Sequence, residues 1–549
     1  MGQDTFAFRH ILIREVANST LTRSERASLH ASAAAWLEAG TDDAEAIAEL
    51  IAYHYREAVT LRQEIGLPVE PEIKSRAVKW LTRAAELASA AAANLEASRH
   101  LRAAIELAEK DELPELYLRL GGAYGGGDEG ASAYAEAYRL GLELGRGPDL
   151  LLSALSSELG TVMRWHASIA HQRTEAEIAT LRARAASLLE DATEERSRAM
   201  YYVSEGFYPF WLSNSVRVPT PEENQRSEQH ARRGLEIAER LGDASLISAA
   251  LDSLTTSAGF LDVARILELS QRRVAMGDRL SLTERLDAHQ MVAWGNCLLG
   301  EYADAARLSR AGTSLVLPGQ SSNFTLAVAS WLPVALAQLG QWDDVNQAAE
   351  RAVAFWSEAD TPAPGFGLQG FLSALWVARA QRNRDQIDRW GELSERIASR
   401  FEESNPTHAL LAMARLDFSG MAAIVSNRNR YSMRLQHMER VVGTCVDHGQ
   451  RLPLDALNEM VEASSRGDLR PLEAQVRRAR GVQEAREDDL RTSLRLYQEM
   501  AATPHIARLE TELGRLTGDD ALVQSGLRRL EALDDLDQLS RAGVPLQET

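Results

Sequence analysis

The stretch LRLGGAYGGGDEG, Leu118 to Gly130, holds six glycines in thirteen residues. Such loops can cradle phosphate, because backbone N–H groups close on the oxygens where no Cβ intervenes. A nucleotide-hydrolysing loop of that kind needs GxxxxGK[ST] after a strand, with the lysine on the phosphates and the hydroxyl on a metal ion. No lysine follows here, and Asp128 and Glu129 would repel phosphate. The glycines therefore read as a helix end and a turn, and no other stretch fits a phosphate loop. Other chemistry is equally thin. His166 and His171 are five apart, about 140° around a helix, so they share no face for a metal. His10 and His30 read as packing or hydrogen-bonding residues. Cys297 and Cys445 lie far apart without a CxxC context. No G-x-S-x-G elbow presents a nucleophile, and the acid pair Glu222–Glu223 suits a helix N-terminus. No catalytic set, metal site or cofactor is expected.

The elements that would position any site are helices. Among 549 residues, 45% are hydrophobic but only 6% aromatic, and alanine and leucine dominate, which favours helix over sheet. Apolar residues recur at helical spacing in ASRHLRAAIELAEK, ASAYAEAYRLGLEL and ARRGLEIAERLGD. TPEE, Thr220 to Glu223, reads as a capping box with proline in the first turn, and Gly242 as a C-cap. The turns recur too: LLGEYADAARL (298–308) and QLGQWDDVNQA (338–348) share Leu-Gly-x-aromatic around Gly300 and Gly340. Tyr117, Leu120, Gly121 and Tyr124 resemble the first-helix signature of the tetratricopeptide (TPR) repeat, with Tyr for Trp, followed by small Ala133 and Ala137. The expected fold is all-α: a degenerate TPR-like solenoid of about a dozen helical hairpins.

Aligning Gly300 and Gly340 with the TPR turn places Trp294, Trp331, Gln290 and Gln338 on first helices. The resemblance implies that these positions face the concave groove. Two readings stand for the two indoles, an anchor for a ligand or packing of degenerate repeats; Trp342 is expected in the core. YYVSEGFYPFWLSNSVRVPTPEEN, Tyr201 to Asn224, is the least repeat-like stretch. There Tyr208, Phe210 and Trp211 form either a partner-binding aromatic patch or an inter-repeat core, and Pro209 should bend or interrupt the helix.

Residues 6 to 60 differ in character. Phe6, Phe8, His10, Leu12, Ile13, Arg14, Glu15, Arg26, Leu29, His30, Leu37 and His54 resemble the end of the winged-helix region of STAND-type signalling ATPases. Those multidomain proteins include LuxR-family regulators and proteins with a class III adenylyl cyclase domain. The resemblance implies a Phe-x-Phe strand, helices over His10–Ser19 and Ser24–Glu38, and a third helix after Ala44. It also implies that a TPR-like arm follows. The family's nucleotide-binding domain would precede Phe6, so its ATPase, cyclase and DNA-binding activities are not carried over.

The expected organisation is a winged-helix remnant with linker helices (1–65), a linker (66–72), the solenoid (73–545) and a tail (546–549). The formal charge of −19 disfavours nucleic acid and anionic lipid. No apolar run approaches a membrane span, and two isolated cysteines suit a reducing cytoplasm. The function expected is binding: a non-catalytic regulatory module of a STAND-type system with a protein or small-molecule effector in the groove. The alternatives are a constitutive protein-binding scaffold and a subunit of a split ATPase or adenylyl cyclase system, with a separate nucleotide-binding subunit as partner.

Overall fold

The computed structural model describes residues 16, 19–40, 44–91, 93–169, 171–217, 219–257, 262–316, 323–357, 365–399, 406–426 and 435–545. The Phe6–Arg9 strand and nearly all of the His10–Ser19 helix expected above lie outside them. Among the described residues there is no strand, and helix follows helix throughout.

Local chemistry sets the helix ends. Thr220 Oγ1 accepts from the Glu223 amide at 3.2 Å while Glu223 Oε2 accepts from the Thr220 amide at 2.8 Å. This box, with Pro221 behind it, starts helix Pro221–Leu241, and Gly242 ends it in the left-handed region at φ 66°. Gly300 and Gly340 end their helices the same way, at φ 79° and 78°. At both turns the following aromatic, Tyr302 or Trp342, is buried.

The chain divides into two compact units, Met1–Glu158 and Leu159–Thr549. In the first, helices Arg23–Gly40, Ala48–Glu64, Pro71–Ala90, Asn94–Leu107 and Leu113–Tyr124 share one apolar core, from Ala34 through Tyr55, Trp80 and Leu101 to Leu120. The described helices before residue 65 share this core, and Val69, within the expected linker, packs against it. The glycine-rich stretch is the turn between helices Leu113–Tyr124 and Gly127–Glu143, with Gly125, Gly126 and Gly127 all at positive φ. Gly121 is a close-approach position: a Cβ there would stand 2.6 Å from Tyr134 Cε1 on the partner helix. Gly121→Leu should therefore overpack the hairpin and cost about 1–3 kcal/mol. An unchanged denaturation midpoint would show that the ring simply steps aside.

The second unit is also a run of hairpins, but it closes on itself. Helices Leu282–Leu299, Trp331–Leu339 and Leu368–Ala380 contact Arg470–Glu484, Thr503–Thr517 and Leu536–Arg541 respectively. The closure is sealed in two ways. An apolar cluster joins Trp294, Tyr302 and Trp331 to Leu490, Tyr497, Met500, Ile506 and Leu509. A buried ion network ties the returning helices to helix Leu435–Asp447: Asp447 receives Arg478 at 2.8 Å and Arg508 at 2.7 Å, Arg508 reaches Asp535 at 2.8 Å, and Arg478 grips Glu512. A second network, Arg164 and Arg273 with Asp252, Glu284 and Asp287, fixes the helices near the start of the unit.

Candidate functional site

The groove expected past Trp294 and Trp331 is not open. The chain's own returning helices fill it, leaving the two indoles 4% and 6% exposed within one apolar cluster. Gln338 is buried as well, where its Oε1 receives His505 Nε2 at 2.7 Å; Gln290 is half-buried on the helix that carries Trp294. Trp294, Trp331 and Gln338 are therefore interior residues of the closed unit.

The aromatic stretch is also interior. Helix Glu195–Gly206 ends and Tyr208–Ser215 begins with Pro209 in its first turn. Tyr208 and Trp211 are buried and stack on one another, and the Arg182 guanidinium lies 3.5 Å over the Tyr208 ring while gripping Glu205. Phe210 is half-buried with its ring against His166. His166 is buried and His171 exposed, so the two do not converge. Among the described residues, no group of three or more His, Cys, Asp or Glu side chains could hold a metal ion.

Burial holds the His166 imidazole down to about 4, against a weaker hydrogen bond to the Met163 backbone carbonyl that raises it. An unfolded histidine takes its proton near 6.5. The stability this neutral ring contributes is present above pH 6.5 and lost as pH falls from there towards 4. The expected loss is on the order of 3 kcal/mol. His166→Phe should flatten the stability–pH curve in that window; parallel curves for both proteins would contradict the assignment.

What the second unit leaves open is a cleft of about 650 Å³ beside the closure. Pockets of about 300–1,000 Å³ suit small molecules. Helix Leu368–Ala380 supplies Leu372, Leu375, Trp376 and Arg379; Met413 and Leu416 come from and just after helix Pro406–Arg415; Thr444, Asp447 and His448 belong to or follow Leu435–Asp447; Arg508, Asp535 and Gln538 come from the returning helices. The spacing of Leu372, Leu375, Trp376 and Arg379 is helical, so one face of one helix forms the floor. Leu372, Trp376, Met413, Thr444 and Asp447 also border a narrow end of about 40 Å³, reached by Gln338, Glu439, Arg440 and His505.

The charges here are arranged unevenly. Arg508 is balanced by Asp447 and Asp535, and its guanidinium sits 5.1 Å from the Trp376 ring. Trp376 also stacks on His505, which in turn stacks on Tyr497 with centroids 4.3 Å apart. Burial keeps the His505 imidazole neutral, well below its ordinary range, helped by the neighbouring Arg508 and Arg478. Arg379 donates to the Met413 and Ala414 carbonyls, and burial lowers it to about 10. Arg440 donates to the Gln369 carbonyl at 2.8 Å and to Ser373 Oγ at 2.7 Å. The cleft thus joins an apolar and indole wall to a few fixed polar groups, which suits selective binding. Neither Trp376 nor Arg440 follows from turn register; helix Leu368–Ala380 packs directly on Trp331–Leu339, which carries Gln338, and closure adds His505.

The architecture and cleft define a class: an all-α helical-hairpin repeat protein with a ligand-sized cleft where its array closes. No family model matches the chain, and no curated protein matches it. Among solved structures it is similar to yeast Tom70, at 11% identity and a TM-score of 0.29 over 94% of this chain and 97% of that one. It is similar also to the human IFIT1 dimer with PPP-AAAA, at 11% identity and a TM-score of 0.30 over 93% and 95%. Superpositions that loose carry neither fold nor function across; the architecture stands on the helix pairing itself. Among the described residues no helix is long and apolar enough to cross a membrane.

Proposed function

We propose that this chain is a non-catalytic, ligand-sensing module of TPR-like hairpins, acting as the regulatory arm of a STAND-type signalling system. The cleft carries the reading: its walls combine middle helices of the second unit with helices that return from its C-terminal end. A ligand touching both sides would favour the closed array over any opened one, and that differential affinity is what turns binding into a conformational signal. The STAND context is supported by the N-terminal residues that resemble the family, including Arg26, Leu29, His30, Leu37 and His54. A separate nucleotide-binding subunit would be the partner that receives the signal. With a charge of −19, the chain is proposed not to bind nucleic acid directly.

The test is a thermal-shift panel of metabolites and short peptides on the wild-type chain and on Thr444→Trp, which places an indole where both parts of the cleft meet. A subset of compounds should raise the melting temperature of the wild type and leave that of the variant unmoved. If no compound distinguishes the two proteins, the cleft is not a binding site. The same preparation should not turn over ATP or GTP above an inactive-preparation control, and steady turnover would end the non-catalytic reading.

A further inference from the structure

The narrow end of the cleft holds two charges that the protein leaves poorly paired. Arg440 donates only to neutral oxygens, Gln369 O and Ser373 Oγ. Among the described residues its guanidinium has no ion pair within 4.0 Å, and the neighbouring Glu439 is the charge that most favours its protonated form. Glu439 is its neighbour in sequence and 12% exposed, and accepts one long hydrogen bond, from Gln338 Nε2 at 3.3 Å. The two side chains make no ion pair with each other, although each is the main opposite charge acting on the other. Burial costs both charges: it raises the Glu439 carboxyl and lowers the Arg440 guanidinium.

Apart from each other, the groups around them add little opposite charge. His505 Nε2 lies 3.9 Å from Glu439, but the ring is held neutral. Cys297 is pushed up to about 12 by burial, and Tyr302 rises for the same reason. Asp447 already receives Arg478 and Arg508. A ligand bearing only an anion would pair Arg440 and crowd Glu439. A ligand bearing only a cation would do the reverse. A head group carrying both signs pairs both and leaves no net charge buried, which is the favourable way to fill such a site.

We propose that the narrow end seats the ammonium–carboxylate head of a free α-amino acid, carboxylate on Arg440 and ammonium on Glu439, with an aromatic or branched side chain along Trp376, Leu372 and Met413. The wider cleft of about 650 Å³ gives that side chain room. The inference rests on the cleft being the binding site, and it deepens that reading by naming the ligand class.

Isothermal titration tests it with L-tryptophan and L-leucine against tryptamine and indole-3-propionate, which each keep one charge of the head. On the wild-type chain the zwitterions should bind at least about tenfold more tightly than either single-charge analogue, as expected where charge-assisted hydrogen bonds are lost. Glu439→Gln and Arg440→Gln should each weaken L-tryptophan by a similar factor; the analogue comparison needs no variant to fold. Equal binding of tryptamine or indole-3-propionate overturns the head-group assignment. So does an absence of zwitterion binding while other compounds still separate wild type from Thr444→Trp, and that outcome leaves the cleft itself standing. If no compound separates them, both readings fall together.

Discussion

Replacing Arg273 with methionine is expected to lower the unfolding free energy by about 3–5 kcal/mol. Arg273 is wholly buried, donating to Asp252 at 2.8 Å, to Asp287, to Glu284 at 3.1 Å and to Ser248 Oγ at 3.0 Å. Among the described residues Arg164 is the other cation in this cluster, and it shares the same three carboxylates. The methionine would leave them around one guanidinium, in a region where an unpaired charge is far more costly than an absent pair. The control is Arg272→Met, next along the same helix. Arg272 is 51% exposed and pairs with Glu239 at the surface, so its loss should stay within about 0.5 kcal/mol. Urea denaturation of both variants decides the point: similar small losses would show that the network holds nothing together.

The second large effect is expected at the closure. Trp331→Ala and Trp294→Ala should each cost about 3–5 kcal/mol, because each indole is buried among side chains from helices that return from beyond residue 470. Trp376→Ala is the counterpart. Its ring is half-buried at the cleft, so its stability loss should be smaller and its effect on ligand binding larger. If Trp331→Ala melted with the wild type, its indole would not be part of a packed interior, and the closed array would need redrawing.

These residues show where sequence reading reaches and where it stops. The capping box at Thr220, the C-cap at Gly242 and the turns at Gly300 and Gly340 were legible because each depends on backbone conformation and hydrogen bonds within a few residues. The core position of Trp342 followed from the turn beside it: its Nε1 donates to Ala337 O at 3.0 Å. Closure was not legible. The contact between Gln338 and His505 spans 167 residues, and no local period records it. Trp294, Trp331 and Gln338 are therefore interior residues once the returning helices are in place. The ion networks left a faint trace. Val263, Ile266, Ser270 and Arg273 are the buried positions of one helix, so an arginine falls on an apolar stripe at helical spacing. Charge on the stripe, rather than on the solvent face, was the available signal for a buried network. Arg440 and Glu439 gave no such signal, because the groups they meet lie on helices far off in sequence.

The central claim is that ligand binding takes place in the cleft at the closure and is felt on both of its sides. Hydrogen exchange tests this most directly, on the wild-type chain with and without the compound that gives the largest thermal shift. Backbone exchange should slow together in helices Leu368–Ala380, Leu435–Asp447 and Thr503–Thr517. Slowing confined to the first unit, or to one side of the cleft with the returning helices unchanged, would contradict the account.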